Sequence, residues 1–480
     1  METRNLHTKH RRFVQASLVL ILLMTMALGA CSRPVPKPEL VLNPKVVAQR
    51  QVTGDLYTRE RGQAISPDGK YLLAEQRDAQ GVRMVAVSLD SAAAKDVVFA
   101  TVDPVWTSDN YVSLPPIGWT SPTTCIFLVS GRQSQGPHKD KTGVAIMSAD
   151  VTKPGAEETG FIELQQGYFH SATFVAERSK LYLHVSRALW EFDFSQKALR
   201  LVKGDLPTYD SLFYIRISPT GEYAVYDLHE ADKDGLYIVE TATGKERPLL
   251  PTGETMSFLP QWSPDGKYIA VYTAKQKPGA ADLPIWERYQ VYQGEDSLLP
   301  IASEITVMDP QGTVQKSIKV AGKTLAYATW AQNSTTIGFM AGVPRPPITG
   351  DDGFPSDQRP SAVSYDSAML ADVPGTSQEA VRVADLQSLP ELTGSPSVNM
   401  AFVVPSGKGL FFNAFTEEKA EFWYASRDLP PAKISDGSWQ FYGVEPVYED
   451  SIVGVVSFGS KSAVRLTGSQ GSLMSQFDHS

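Results

Sequence analysis

The stretch that decides the fold is a turn followed by a strand of alternating apolar residues: Gln261-Trp262-Ser263-Pro264-Asp265-Gly266-Lys267-Tyr268-Ile269-Ala270-Val271-Tyr272. It recurs at residues 65–73, Ile-Ser-Pro-Asp-Gly-Lys-Tyr-Leu-Leu, and more loosely at residues 217–225, Ile-Ser-Pro-Thr-Gly-Glu-Tyr-Ala-Val. Proline presets the first turn angle, aspartate bonds to its own backbone, and glycine accepts a positive φ. A unit repeated along a chain is typical of a repeat architecture.

Around each turn the chain consists of short apolar runs separated by turn residues. We label the strands of one repeat A to D, with the turn between A and B. The predicted B strands are 71–76, 125–130, 181–185, 223–228, 268–273, 336–341, 410–415 and 452–458. The predicted C strands are 82–88, 143–148, 188–194, 235–240, 304–308, 380–385, 421–426 and 463–466.

Four-stranded units at this spacing predict an all-β fold, a β-propeller of eight blades, with seven as the alternative. A single propeller domain is predicted over residues 46–480. Residues 46–52 precede the first turn as residues 247–253 precede the fifth. They are predicted to form the outer strand of the last blade, which would remove the open sheet edges of an unclosed ring.

The turn, placed after an aromatic residue and before an apolar strand, resembles the WD40-like repeat of the TolB family of β-propellers. The same repeat occurs in propeller domains of prolyl oligopeptidase relatives. Copies at 66–70 and 263–267 are intact and the copy at 218–222 is close, whereas those at 331–335 and 405–408 have diverged. The resemblance implies the fold and leaves the activity open. Recurrence as a turn also favours a structural role for Asp68 and Asp265 over a catalytic one.

Residues 1–30 are predicted to be an export signal, with four basic residues at 4, 9, 11 and 12 before an apolar run over 13–28. The run is too short for a spanning helix. It ends in Leu28-Gly29-Ala30-Cys31, which resembles the bacterial lipobox. That resemblance implies a lipoprotein acylated at Cys31, held on the extracytoplasmic face of the cell membrane. Residues 31–45, with four prolines, are predicted to be a stiff tether.

The charge of the chain excludes one class of function, and its cysteines limit another kind of chemistry. The chain has 44 basic and 53 acidic residues; removing residues 1–30, which hold four and one of these, leaves 40 and 52 and a net charge of −12. Such a surface repels nucleic acid, so nucleic-acid binding is excluded. Cys125 lies in an apolar run, so it is predicted to be a buried, inert thiol.

Three long insertions are predicted between B and C strands, at 131–142, 274–303 and 342–379. All B–C connections of a propeller leave on one face, and long loops on a rigid scaffold commonly bind partners. The alternative is that their aromatic residues only fix the loops to the rim. The candidate binding residues, which combine aromatic rings with charged groups, are Trp286, Arg288, Tyr289, Tyr292, Arg345, Asp351 and Asp352.

Motifs of catalytic or metal chemistry are missing from the sequence. There is no G-x-S-x-G and no H-E-x-x-H. Residues 230–235 begin like a calcium loop, but Thr241 stands at the twelfth position, so a hairpin turn is the preferred interpretation. The histidines at 138, 170, 184, 229 and 479 show no metal-ligand spacing. The sequence therefore predicts no catalytic residue, metal or cofactor.

We interpret the sequence as that of a membrane-anchored envelope protein whose propeller is a binding or scaffold module for a protein, peptide or glycan. The alternative is a propeller enzyme of hydrolase or lyase type, with a site at the mouth of the channel.

Overall fold

The structure is a computed structural model, and it describes the chain with gaps. The described residues are 45–46, 55–57, 64–78, 81–88, 96–102, 112–133, 136–164, 169–207, 212–228, 235–251, 255–275, 291–293, 298–300, 302–344, 363–373, 379–389, 397–404, 406–415, 420–433, 440–448, 451–458, 460–467 and 476–478. They belong to a compact unit, Leu42–Ser480; a second unit, Met1–Val41, lies outside them.

The described residues are almost entirely strands, with short 3₁₀ helices at Ala176–Arg178 and Leu386–Ser388. The strands are β1 Lys45–Val46, β2 Asp55–Tyr57, β3 Tyr71–Asp78, β4 Gly81–Ser88, β5 Val97–Val102, β6 Val112–Ser113, β7 Pro116–Trp119, β8 Thr124–Arg132, β9 Thr142–Asp150, β10 Glu157–Glu163, β11 Phe169–Val175, β12 Lys180–Val185, β13 Ala188–Asp193, β14 Ala198–Lys203, β15 Leu212–Ile217, β16 Tyr223–Leu228, β17 Gly235–Glu240, β18 Glu246–Pro251, β19 Thr255–Trp262, β20 Ile269–Lys275, β21 Val291–Gln293, β22 Leu298–Pro300, β23 Glu304–Met308, β24 Val314–Ile318, β25 Thr324–Trp330, β26 Thr336–Pro344, β27 Val363–Asp372, β28 Val381–Asp385, β29 Ser397–Val403, β30 Gly409–Phe415, β31 Ala420–Ser426, β32 Ala432–Lys433, β33 Gln440–Tyr448, β34 Ser451–Phe458, β35 Ser460–Thr467 and β36 Gln476–Asp478.

These strands form antiparallel sheets that follow one another along the chain, and we number them I to VIII. In strand order they are β2-β3-β4-β5, β6/β7-β8-β9-β10, β11-β12-β13-β14, β15-β16-β17-β18, β19-β20-β23-β24, β25-β26-β27-β28, β29-β30-β31-β32 and β33-β34-β35 with β1 and β36. A separate hairpin, β21–β22, lies within the B–C connection of sheet V. The predicted all-β fold of four-stranded units is confirmed.

Sheet VI corrects one strand assignment. The segment predicted as its C strand, 380–385, is the outer strand β28, while the C strand is β27, inside the predicted insertion 342–379. The reason is that β27 buries polar residues, Asp366 and Ser367, so that its sequence resembles the polar insertion before it. Only residues 345–362 therefore separate β26 from β27.

The serine is the centre of each intact turn. Ser263 is completely buried; its hydroxyl donates to Asp265 Oδ1 at 2.7 Å and accepts the backbone N–H of Tyr268 at 2.9 Å. Gly266, at a φ of +71°, donates its N–H to the Ser263 carbonyl, as predicted for the turn. Burial raises the pKa of Asp265, but hydrogen bonds from Ser263 and Lys267 outweigh it and hold that pKa below its ordinary value. The aspartate is thus occupied by the turn itself.

The repeat also connects neighbouring sheets at three junctions. Trp119, at the end of β7, donates its indole N–H to the Ala64 carbonyl of sheet I at 2.9 Å and stacks on Tyr71 at a centroid distance of 6.0 Å. The same pair of contacts recurs between sheets IV and V and between V and VI, where the residues are Trp262 with Arg216 and Tyr223, and Trp330 with Gln261 and Tyr268. We call this arrangement the turn clamp.

Neighbouring A–B turns contact each other directly. The backbone N–H of Asp265 donates to Ser334 Oγ at 2.9 Å, and Asn333 Nδ2 donates to the Ser406 carbonyl at 2.7 Å. These contacts place the A–B turns of sheets V, VI and VII on one face, which we call the turn face. In a meander the B–C connections leave at the opposite end of each sheet, so we call that side the B–C face.

The core lies between successive sheets. One cluster joins Leu73 and Met84 of sheet I to Trp119 and Phe127 of sheet II, and it includes Cys125. Burial raises the pKa of the Cys125 thiol to about 12, which confirms a buried thiol that is protonated at neutral pH. Within the described ranges, no helix has the length and apolar character needed to cross a membrane.

Candidate functional site

Most of the predicted site residues lie outside the described part of the chain. These are Cys31, Trp286, Arg288, Tyr289, Arg345, Asp351 and Asp352. The hairpin-turn segment 230–234 lies outside it as well. Tyr292 falls within β21 and pairs in register with Leu299 of β22, so the sheet V insertion contains a hairpin of its own.

The described strands show where the two adjacent insertions start. In sheet V, β20 ends at Lys275 and β23 begins at Glu304. In sheet VI, β26 and β27 have 9 and 10 residues, compared with 6 in the corresponding strands of sheet IV, and they continue to Pro344 and Val363. Both insertions therefore leave neighbouring sheets on the B–C face.

One short connection, residues 319–323 between β24 and β25, contacts the strands that follow both insertions. Lys319 Nζ lies 3.0 Å from Glu304 Oε2, at the first residue of β23. Lys323 forms an ion pair with Asp366, near the start of β27. Each insertion is thus followed by a carboxylate that pairs with a lysine of the same connection. We call this group the insertion base.

Both carboxylates of the insertion base have further donors. Glu304 accepts hydrogen bonds from the hydroxyls of Thr306, at 3.3 Å, and Ser317. Asp366 accepts one from Ser367 at 2.7 Å. The two carboxylates are mostly buried, with 16% and 12% of their side chains exposed, so the pairs are screened less than free surface pairs. This arrangement fixes the strands that follow the insertions. Both carboxylates are engaged in ion pairs and hydrogen bonds with neighbouring residues.

Buried side chains at two other junctions accept backbone N–H groups of the following sheet. The A strands of sheets V and VI each carry a register shift with a non-glycine residue at positive φ, Leu259 at +53° and Tyr327 at +54°. A bulge interrupts the ladder and leaves N–H groups to be satisfied. The Leu259 N–H donates to Asp227 Oδ2 of sheet IV at 3.0 Å, and the Ala328 N–H to the Tyr272 hydroxyl of sheet V at 2.5 Å.

Glu75 plays the same role between sheets I and II, where it accepts the Leu114 N–H at 2.8 Å. Glu75, Asp227 and Tyr272 each stand nine residues after the serine of their turn, at 66, 218 and 263. We call them the junction acceptors. Two of these three buried groups are carboxylates, and both accept a backbone N–H of the next sheet.

The third insertion, at 131–142, is held down by its own contacts. β8 continues to Arg132 and β9 begins at Thr142. His138 Nδ1 lies 2.7 Å from Glu158 Oε1, and its ring stacks on Phe161 at a centroid distance of 3.9 Å. The segment therefore lies along β10, and the insertions of sheets V and VI are the better candidates for partner binding.

No group of three or more His, Cys, Asp or Glu residues within the described ranges is arranged to hold a metal ion. What these ranges do show is a series of four-stranded antiparallel sheets of the β-propeller type, in which the strands that flank two long insertions end on the same face.

Comparisons with solved structures find matches at low sequence identity. The chain is similar to a eukaryotic initiation factor, with 9% identity over 92% of this chain and 96% of that one and a TM-score of 0.49. It is similar to the β-propeller domain of the Trilobed protease from Pyrococcus furiosus, with 10% identity over 76% and 97% and a TM-score of 0.41. A candidate TolB from Agrobacterium tumefaciens aligns at 12% identity over 54% and 81%, with a TM-score of 0.31.

No protein-family model and no curated protein sequence matches the chain. The four-stranded sheets and their order, rather than these alignments, define the fold.

Proposed function

We propose that the protein is a lipid-anchored cell-envelope protein whose propeller acts as a binding or scaffold module for a protein, peptide or glycan. The observation that carries this proposal is the insertion base, where ion pairs from one connection fix the strands that follow two neighbouring insertions on the B–C face. Rigidly supported loops are the usual place for recognition. The candidate residues Trp286, Arg288, Tyr289 and Tyr292 belong to the first of these insertions, and Arg345, Asp351 and Asp352 to the second.

We further propose that the eight sheets are the eight blades of one closed ring. The support is the pairing of β1 with β35, in which Lys45 lies opposite Thr467 and Val46 opposite Leu466. Val46, the first residue of the predicted closing segment 46–52, belongs to this pair, which supports the closure. A ring closed by both ends of the chain would present a fixed platform to a partner on the B–C face.

Changing the lipidation cysteine tests the anchor. Cys31→Ser removes the only sulfur adjacent to the predicted cleavage site, so the exported protein is expected to move from the membrane fraction to the soluble fraction. Fractionation followed by immunodetection measures this. Cys125→Ser is the matched control, because it changes the other cysteine of the chain and should leave the protein on the membrane. A Cys31→Ser protein that remains on washed membranes contradicts the lipid anchor.

The binding surface is tested by removing its aromatic and cationic groups. Trp286→Ala combined with Arg288→Ala is expected to weaken capture of the envelope partner by about thirtyfold, as for a central binding residue worth about 2 kcal/mol. The measurement is quantitative pull-down from an envelope extract, with mass spectrometry. Lys408→Ala, at an exposed residue of the turn face, is the control. Equal capture by all variants contradicts a role for this insertion.

A further inference from the structure

Two histidines meet at the B–C end of sheet III. β11 and β12 pair with a register shift between Phe169 and Ser171, so His170 is the extra residue of a bulge, and Ser171 lies opposite His184. The rings of His170 and His184 have centroids 4.5 Å apart and planes inclined at 34°. Their separation of fourteen residues in sequence resembles no ligand motif, but the antiparallel pairing brings them side by side.

His184 occupies the position of the junction acceptors. Counting from Val175, which stands where other sheets have the turn serine, His184 is nine residues on, as Glu75 and Asp227 are. It lies on the same side of β12 as Tyr182, which packs against sheet IV. Glu75, Asp227 and Tyr272 each accept a backbone N–H of the following sheet, whereas His184 Nε2 is buried and has no hydrogen-bond partner.

The buried Nε2 atom of His184 has no hydrogen-bond partner, which is unusual at a junction between sheets. His184 is only 5% exposed, and a buried acceptor without a partner costs about 1–3 kcal/mol. Such groups in native proteins often mark an ion or water that completes the site. His170 is partly buried, so the pair is not sealed from solvent.

The other nitrogen of each ring is already engaged. The backbone of Ser186 lies within hydrogen-bonding reach of both rings, and its carbonyl is the group that can accept an imidazole N–H. Because Nε2 of His184 has no partner, that ring uses Nδ1. The nitrogen of His184 that faces no protein donor or acceptor is therefore Nε2, beside the ring of His170.

We propose that His170 and His184 form an open two-histidine site for a divalent transition-metal ion such as Cu²⁺. Metal-binding histidines commonly donate their second N–H to a backbone carbonyl, which fixes the tautomer and the orientation of the ring. Imidazole suits copper, nickel and zinc, and Cu²⁺ binds such ligands most tightly among the divalent ions of this row. Two protein ligands leave coordination positions for water or an incoming donor. The site is separate from the insertion base and does not depend on the proposed function.

Titration of the purified full-length chain with Cu²⁺, after removal of metals by a chelator, tests the site. Electron paramagnetic resonance is expected to show one Cu²⁺ ion per chain, with superhyperfine splitting of its signal by two imidazole nitrogens. His170→Asn and His184→Asn should each weaken binding by at least roughly tenfold, since losing a ligand should cost no less than losing its supporting hydrogen bond. His138→Asn is the matched control, because His138 is already engaged by Glu158 and Phe161.

Equal Cu²⁺ affinity in the unaltered chain and in both variants overturns the proposal, as does loss of binding in His138→Asn alone. His184 is buried, so its variant is checked by circular dichroism. If His184→Asn fails to fold, the partly buried His170→Asn decides the matter: a folded variant with unchanged affinity overturns the site.

Discussion

Replacing Trp119 with alanine is expected to lower the free energy of unfolding by about 3–5 kcal/mol, the usual cost of truncating a buried tryptophan. The side chain is 5% exposed and lies in the cluster that joins sheets I and II. Its indole N–H donates to the Ala64 carbonyl at 2.9 Å, so the variant also leaves that carbonyl without this donor. Urea unfolding followed by far-ultraviolet circular dichroism measures the loss.

Two further variants separate the turn clamp from ordinary core packing. Trp119→Phe keeps most of the ring but removes the N–H, and should cost about 1 kcal/mol for the hydrogen bond in addition to the smaller ring. Tyr71 stacks on Trp119, so a double-mutant cycle with Tyr71→Ala should give a coupling of about 0.5–1.5 kcal/mol. A Trp119→Ala protein that loses less than about 1 kcal/mol contradicts the clamp as a major contact between sheets.

The turn shows how far the sequence alone leads. Its proline, aspartate and glycine predict the backbone angles, and Gly69 and Gly266 have the expected positive φ of 73° and 71°. The role of Ser263 could not be predicted, because its buried hydroxyl acts through the N–H of Tyr268, five residues on. The role of Trp262 depends on the neighbouring sheet, since its partners are Arg216 and Tyr223.

Burial on both faces did not by itself prevent strand prediction, since β23 is buried at four of its five positions. The C strand 304–308 was predicted with the bounds that the structure has for β23. β27 was missed because it contains buried polar residues, Asp366 and Ser367, so that its sequence resembles the polar insertion before it. The consequence for function is specific: the sheet VI insertion is reduced to residues 345–362, and it still contains Arg345, Asp351 and Asp352.

Side chains that meet through strand pairing were beyond prediction. His170 and His184 show no ligand spacing in the sequence, and only the bulge in β11 sets one ring beside the other. The ion pairs of the insertion base likewise join residues 15 and 43 positions apart, Lys319 with Glu304 and Lys323 with Asp366. Linear motifs reveal turns and signals, whereas contacts of this kind depend on which strand ends lie on the same face.

Replacing Gly407 with alanine is expected to destabilise the protein by about 3 kcal/mol, the sum of backbone strain and steric overlap. Gly407 lies in the diverged turn of sheet VII at a φ of +77°. A Cβ atom there would stand 2.4 Å from Thr336 Oγ1 and 2.5 Å from Asn333 Nδ2 of sheet VI. Asn333 also donates to the Ser406 carbonyl, so moving it aside would break a contact between the two turns.

Gly322→Ala is the matched control for this change. Gly322 has a φ of +70°, but a Cβ atom there meets nothing within 4 Å, so only the cost of a left-handed backbone, about 1–2 kcal/mol, applies. The difference between the two variants in urea unfolding therefore measures the close approach of sheets VI and VII. Equal losses would mean that the turn of sheet VII has room for a methyl group. The larger loss expected at Gly407 would show that a turn lacking the Ser-Pro-Asp-Gly-Lys sequence still keeps glycine because the neighbouring sheet requires it.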